Sequence, residues 1–222
     1  PVPEGEGDME IRTSIFNEVA EKEIRNPYAR LFLKAMPAVI AARRKSIMGT
    51  FPDPDAAQAE AQAIRAEVVA GLPELLEEFE KNALAQGAKV LWARDAREAN
   101  EMVLSLARER NVTYVTKGKS MVTEEMGLND AFTANGIEPF ETDLGEFIVQ
   151  QLKRPPFHIV GPAINIPVEE VCDLFMEKAG MKETTIDPVE LGYAARLFLR
   201  DKFHHVAMGI TGVNMAVAET GT

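Results

Sequence analysis

The sequence predicts an α/β protein: an open, mostly parallel sheet flanked by helices, with an N-terminal helical extension. Two observations carry this. From about Ala88 onward, short apolar runs alternate with helix-like stretches, the repeat expected of parallel strands joined by crossover helices. Before that point, residues 13–87 hold no strand-like run and place apolar residues at helical spacing, as in Ile15, Phe16, Val19 and Leu31, Phe32, Ala35. The expected organisation is an N-terminal helical region over 1–87 and an α/β domain over 88–222.

Taken in order, the helical region is punctuated by its prolines and glycines. Asn26-Pro27 and Met36-Pro37 are expected to interrupt or kink helices, and Asp53-Pro54 reads as an N-cap followed by proline at the first helical position. Gly71-Leu72-Pro73 separates two further helices, and Gly87 closes the second. Strands are then expected at Lys89–Ala93, Val112–Thr116, Ile137–Glu141, Phe157–Val160, Val206–Ile210 and Met215–Ala218. Helices are expected from Asp95 to Arg110, from near Thr123 to Gly136, from Leu144 to Leu152, from Pro167 to Gly180 and from Pro188 to Phe203. In such a sheet, ligands belong at the carboxyl ends of the strands.

Composition narrows the function classes. The 222 residues are 46% hydrophobic and 27% charged, with a net charge of -11 that would repel a polyphosphate, so nucleic acid is not an expected partner. No window approaches the roughly 20 apolar residues of a membrane span, and the first thirty residues are acidic and polar, unlike a signal peptide. A cytoplasmic location follows as an expectation. Cys172 is the one cysteine, which excludes an intrachain disulfide and any metal or iron–sulfur site built on several thiolates of this chain. Pro1 at the start and the apolar run close to Thr222 suggest that both ends are cut.

Among the motifs, Lys117-Gly118-Lys119-Ser120 leaves an expected strand and enters a helix, as a phosphate loop does. The match fails because the position five before Gly118 is Thr113 and not glycine. What survives is a pair of lysines and a serine where a strand ends and a helix begins, suited to a carboxylate or single phosphate, or else a plain solvated loop. Glu124 and Glu125 follow in the first helical turn, where carboxylates offset the positive helix end; alternatively one of them pairs with Lys119 and directs it. His158 reads as a core histidine. His204 and His205 are adjacent and diverge by about 100° on a helix, so no metal site is expected there. Cys172, among Val171, Leu174 and Phe175, reads as a small buried hydrophobe.

The densest signal is the C-terminal string from Met208 to Thr222. Gly209, Gly212 and Gly221, interleaved with Thr211, Asn214 and Thr220, describe a tight turn lined by small hydrogen-bonding groups, where backbone can approach a ligand. Only G-x-x-G is present, which excludes the dinucleotide fingerprint. The expected anion site therefore joins Lys117, Lys119, Ser120, Glu124 and Glu125 to a wall formed by Gly209, Thr211, Gly212, Asn214 and Thr220.

That string, with Lys119-Ser120-Met121-Val122-Thr123-Glu124-Glu125, Glu141-Thr142-Asp143-Leu144-Gly145-Glu146 and His158-Ile159-Val160-Gly161-Pro162-Ala163, resembles the lactate-utilization (LUD) domain family. Within it, the chain is most similar to the iron–sulfur subunit type of bacterial L-lactate oxidation complexes. The resemblance runs from about Asn17 to Thr222. It implies a fold similar to the ribose-phosphate isomerase and CoA-transferase group, an oxidoreductase complex that converts lactate to pyruvate, and partner subunits. It also implies a small anionic ligand, and 4Fe-4S clusters with electron transfer in a ferredoxin-like region beyond Glu219-Thr220-Gly221-Thr222, with no cofactor in this chain. Asn165 stands where the family commonly carries histidine, which argues against histidine-based proton transfer at that loop. Two further readings stay open: a stand-alone transferase or isomerase of the same fold group, with Glu219 or Glu124 as its catalytic carboxylate, and a non-catalytic assembly scaffold.

Overall fold

The computed structural model describes residues 16–157 and 161–222. Its described helices are α1 (Phe16–Ile24), α2 (Pro27–Met48), α3 (Pro54–Ala70), α4 (Leu72–Ala85), α5 (Ala96–Glu109), α6 (Met121–Glu125), α7 (Leu128–Ala134), α8 (Leu144–Gln151), α9 (Val168–Lys178) and α10 (Pro188–His205). The described strands are β1 (Tyr114–Lys117), β2 (Glu138–Glu141) and β3 (Gly209–Ile210). They form an open, all-parallel sheet in the order β2-β1-β3, so the chain is α/β. Among the described residues two compact units divide it: one comprises 16–32, 93–157 and 161–212, the other Leu33–Trp92 and Val213–Thr222.

In the first unit the sheet is covered on both faces. Successive strand residues point to opposite sides. Val115 enters a cluster with Leu104 and Ala107 of α5 and with Leu128 and Phe132 of α7. Tyr114 and Phe140 face the other way, where Phe140 meets Phe198 of α10 edge-on and Phe198 stacks on Phe147 of α8. Phe147, Phe175, Leu174 and Leu199 build the core beneath them, and Cys172 is buried among the same residues. The ammonium of Lys202 lies 4.4 Å from the centre of the Phe140 ring, a cation–π contact that ties α10 to the sheet. Side-chain caps fix the helix starts: Asp95 accepts from the Glu98 N–H, Ser120 from Thr123, Asp143 from Glu146 and Asp187 from Val189.

The helix expected from Thr123 to Gly136 is two helices, because Gly127 takes a left-handed conformation (φ 66°) that ends the first and starts the second. Pro37 lies inside α2 without ending it; in a helix this exposed, the missing N–H removes one bond and no buried partner. Residues 158–160 of the expected strand Phe157–Val160, and with them His158, lie outside the described residues.

The second unit holds most of α2, then α3, α4 and the C-terminal segment. Asp53 caps α3 by accepting the Ala56 N–H at 3.0 Å, with Pro54 at the first helical position. Two expected strands are irregular here. Around Lys89–Ala93, Leu91 and Trp92 are exposed and the indole N–H donates to Glu80 of α4 at 2.9 Å. Around Met215–Ala218, turns replace a ladder: Val217 carbonyl accepts from Gly221 N–H at 2.9 Å, and Ala218 carbonyl accepts from the Asn82 amide at 2.8 Å. A short apolar run becomes a strand only when a neighbour offers its backbone, and among the described residues neither of these two runs pairs with a strand. Gly221 (φ 71°) presses on α4 so closely that a Cβ there would lie 2.2 Å from Ala83 N.

Candidate functional site

Parallel pairing brings the carboxyl ends of the strands together. Lys117 ends β1 and Glu141 ends β2, and the two are register partners; Ile210, which ends β3, is the partner of Lys117 on the other side. Because Lys117 and Glu141 are both two residues on from side chains on their own strand face, they point the same way, toward α6 and α7. Their charged ends meet at 2.7 Å with side chains only 4% and 7% exposed. Lys117 also donates to Thr123 Oγ1 of α6 at 3.3 Å, and Asn129 of α7 donates through Nδ2 to Glu141 Oε1 at 2.7 Å. The far oxygen of Glu141, Oε2, and the amide oxygen of Asn129 are buried and accept no hydrogen bond among the described residues.

The loop after β1 forms the next layer. Gly118 N–H donates to Ile210 carbonyl at 2.8 Å, holding the loop against β3, and Thr142 donates through its N–H and hydroxyl to Lys117 carbonyl, holding it to β2. Lys119, more exposed, lies 3.6 Å from the buried carboxylate of Glu146 on α8. Gly212 approaches Ser120 so that an added Cβ would sit 3.1 Å from the serine Cβ and Oγ. A cleft of about 630 Å³ opens beside these pairs, and Glu124, Asn129, Glu141, Glu146 and Lys153 are among its lining residues.

Of the residues singled out from the sequence, Lys117, Lys119, Ser120, Glu124, Glu125, Gly209, Thr211 and Gly212 lie in the first unit around these strand ends. Lys117 is buried, Ser120 and Glu124 are half-buried, and Lys119, Glu125, Gly209, Thr211 and Gly212 are exposed. Gly209 belongs to β3 and pairs with Thr116. Asn214, Glu219 and Thr220 are exposed and belong to the second unit, where the Thr220 and Thr222 hydroxyls meet at 2.5 Å. Sequence reasoning passed over Glu141, Glu146, Asn129 and Thr123 as site residues. The available signal was a charged residue closing each of two strands, since a lysine and a glutamate at register positions can be buried only as a pair.

What this arrangement can do is bind a small polar molecule at strand ends. Lys119 is the cation with a side chain 35% exposed, free to turn from Glu146 toward an anion, while Lys117 is held by Glu141. Asn165 is buried and bridges to α1 and to the turn that follows it, donating to Glu23 at 3.3 Å and accepting at its carbonyl from Asn26 at 3.1 Å. Among the described residues, no group of three or more His, Cys, Asp or Glu side chains could hold a metal ion. No described helix is long and apolar enough to cross a membrane.

Comparison with known proteins agrees with the sequence resemblance. Lactate utilization protein B of Macrococcus caseolyticus is 35% identical over 96% of this chain and 45% of its own length, and the proteins of the same name from Bacillus licheniformis and Geobacillus thermodenitrificans match equally. The chain therefore spans rather less than half the length of these relatives. No solved structure gives a significant match. The LUD domain family model matches residues 76–222, which includes every described strand and the strand-end residues of the first unit, and the chain belongs to the LUD domain family.

Proposed function

We propose that the chain is the LUD portion of an iron–sulfur-dependent complex that oxidises L-lactate to pyruvate in lactate utilization. The observation that carries this reading is similarity over 96% of the chain to proteins named lactate utilization protein B. Converting the hydroxy acid to the keto acid removes two electrons and two protons, so a carrier must take the electrons. The residues of this chain do not fit a cluster: Cys172 is its one thiol, buried, with its sulfur accepting the Thr185 N–H at 3.3 Å. In this reading the 4Fe-4S clusters and electron transfer belong to the remainder of the longer protein, and the other subunits of the complex are its partners.

The part assigned to this chain is to hold the anion. Lys119 and Ser120 contact the carboxylate, Lys117 supports them from the core, Glu124 and Glu125 orient the lysines, and Gly209, Thr211 and Gly212 form the opposite wall. Titrating the chain calorimetrically with L-lactate, pyruvate, acetyl-CoA and a sugar phosphate tests this: L-lactate or pyruvate should bind, and binding of only the thioester or the sugar phosphate would favour a transferase or isomerase using Glu219 or Glu124. A scaffold is the second reading, favoured by the apolar side chains exposed along α2 and α3, such as Leu31, Ile40, Ile47 and Val69. Absence of any binding would move the assignment there.

A further inference from the structure

We infer that the second unit docks on the same unit of a second copy of this chain, with α2 of each copy lying against α3 and α4 of the other. The unit has no core of its own. Among residues 33–92 and 213–222, Ala83 alone is buried, and a unit of that size without a core does not hold its helices by itself. What it exposes is ordered. On α2, Leu33, Ile40 and Ile47 recur at every seventh position, and Ile47 is 62% exposed. On α3, Ala57, Ala61, Ile64 and Val68 follow the alternating steps of four and three residues that make a helix–helix seam, and Ile64 is 54% exposed. Neither stripe is covered from within the chain, and apolar stripes of this length mark interaction surfaces.

Charge identifies the occupant. Residues 33–52 carry Lys34, Arg43, Arg44 and Lys45 and no acid, whereas residues 53–80 carry Glu60, Glu67, Glu74, Glu77 and Glu78 among their acids against Arg65 alone. The side chains of these four cations and five glutamates form no ion pair or hydrogen bond with a described residue. Arg44 lies four residues on from Ile40, and Glu60 and Glu67 lie within four residues of Ile64, so opposite charges border the two stripes. A foreign partner would need an acidic apolar surface for α2 and a basic apolar surface for α3 and α4. A second copy brings both, and a two-fold axis makes the two contacts identical, so every stripe is covered and every charge is answered. The inference does not depend on the lactate reading, because the strand-end residues of the first unit take no part in it.

Sedimentation equilibrium of the whole chain tests this with two charge reversals, Arg43→Glu with Arg44→Glu on α2, and Glu60→Lys with Glu67→Lys on α3. The unaltered chain should dimerise at micromolar concentration. Each reversed chain should associate with itself at least about tenfold more weakly, because like charges then meet at both contacts. Mixing the two reversed chains should restore the dimer, since in the mixed pair both contacts again join opposite charges. A monomeric unaltered chain, which would leave the stripes to a different partner, overturns the inference. So does a dimer indifferent to both reversals, or reversed chains that stay monomeric when mixed. Should a reversed chain lose its helical circular dichroism, carbodiimide cross-linking of mixed light and isotope-labelled unaltered chains decides. A peptide joining Lys34 or Lys45 of one copy to a glutamate of α3 or α4 of the other is then expected, and its absence overturns the inference.

Discussion

Lys117 and Glu141 are the residues on which the strand ends depend. Each is buried only because the other is there, and removing one leaves an uncompensated charge out of water. Glu141→Leu or Lys117→Met alone should therefore cost about 3–5 kcal/mol in denaturant unfolding, and the double substitution should recover a large part of that loss. Strictly additive losses, or single losses below about 1 kcal/mol, would show that the pair is not buried as described. Gly212 plays a different part. A valine there must push Ser120 away by a few tenths of an ångström, so Gly212→Val should disturb the Ser120 cap of α6 and any ligand held by the loop while leaving global stability within about 1 kcal/mol. Lys117, Lys119 and Ser120 were legible because Gly-Lys-Ser at a strand exit is a local signal. Their carboxylate partners were not, because the pairing of Lys117 with Glu141 is set by strand register across 24 residues of sequence and no local pattern states it.

At the scale of elements, helices were easier to read than strands. Asp53, Asp95 and Asp187 cap helices at the positions where the sequence placed or allowed them, since a cap is a contact between neighbours in sequence. The runs at Lys89–Ala93 and Met215–Ala218 had the composition of strands and lack the neighbouring backbone that would make them so. The start of α5 offers a pH test. The Glu98 N–H holds the Asp95 carboxyl below its ordinary 3.8, and the Arg94 side chain and N–H hold Glu98 below its ordinary 4.5. Folded values below unfolded ones mean that these groups stabilise the protein at neutral pH, and that the contribution is lost as pH falls through the depressed values. Stability measured from neutral pH downward should drop in the acid range, and Asp95→Asn, which keeps a capping oxygen without a titrating charge, should flatten part of that slope. An unchanged slope would place the acid sensitivity elsewhere.

For the whole molecule, the α/β class and the convergence of strand ends followed from alternation along the sequence, whereas the division into two units did not. The second unit takes the chain's last ten residues back onto α4 through Asn82 and Gly221, a long-range contact that no run of apolar residues announces. The single cysteine makes one expectation independent of the fold: the purified chain should be colourless and hold no stoichiometric iron or sulfide after gel filtration, and iron retained there would mean ligands other than thiolates of this chain. The proposal that this LUD chain binds the hydroxy acid of lactate utilization rests on the strand-end cation that can reach a ligand. Its most direct test is a calorimetric titration of L-lactate into the chain and into Lys119→Ala. The account predicts measurable binding that weakens by about 1.5–3 kcal/mol in the variant, the range for a hydrogen bond to a charged group, with an unchanged melting temperature. Binding of equal strength in both proteins would contradict it.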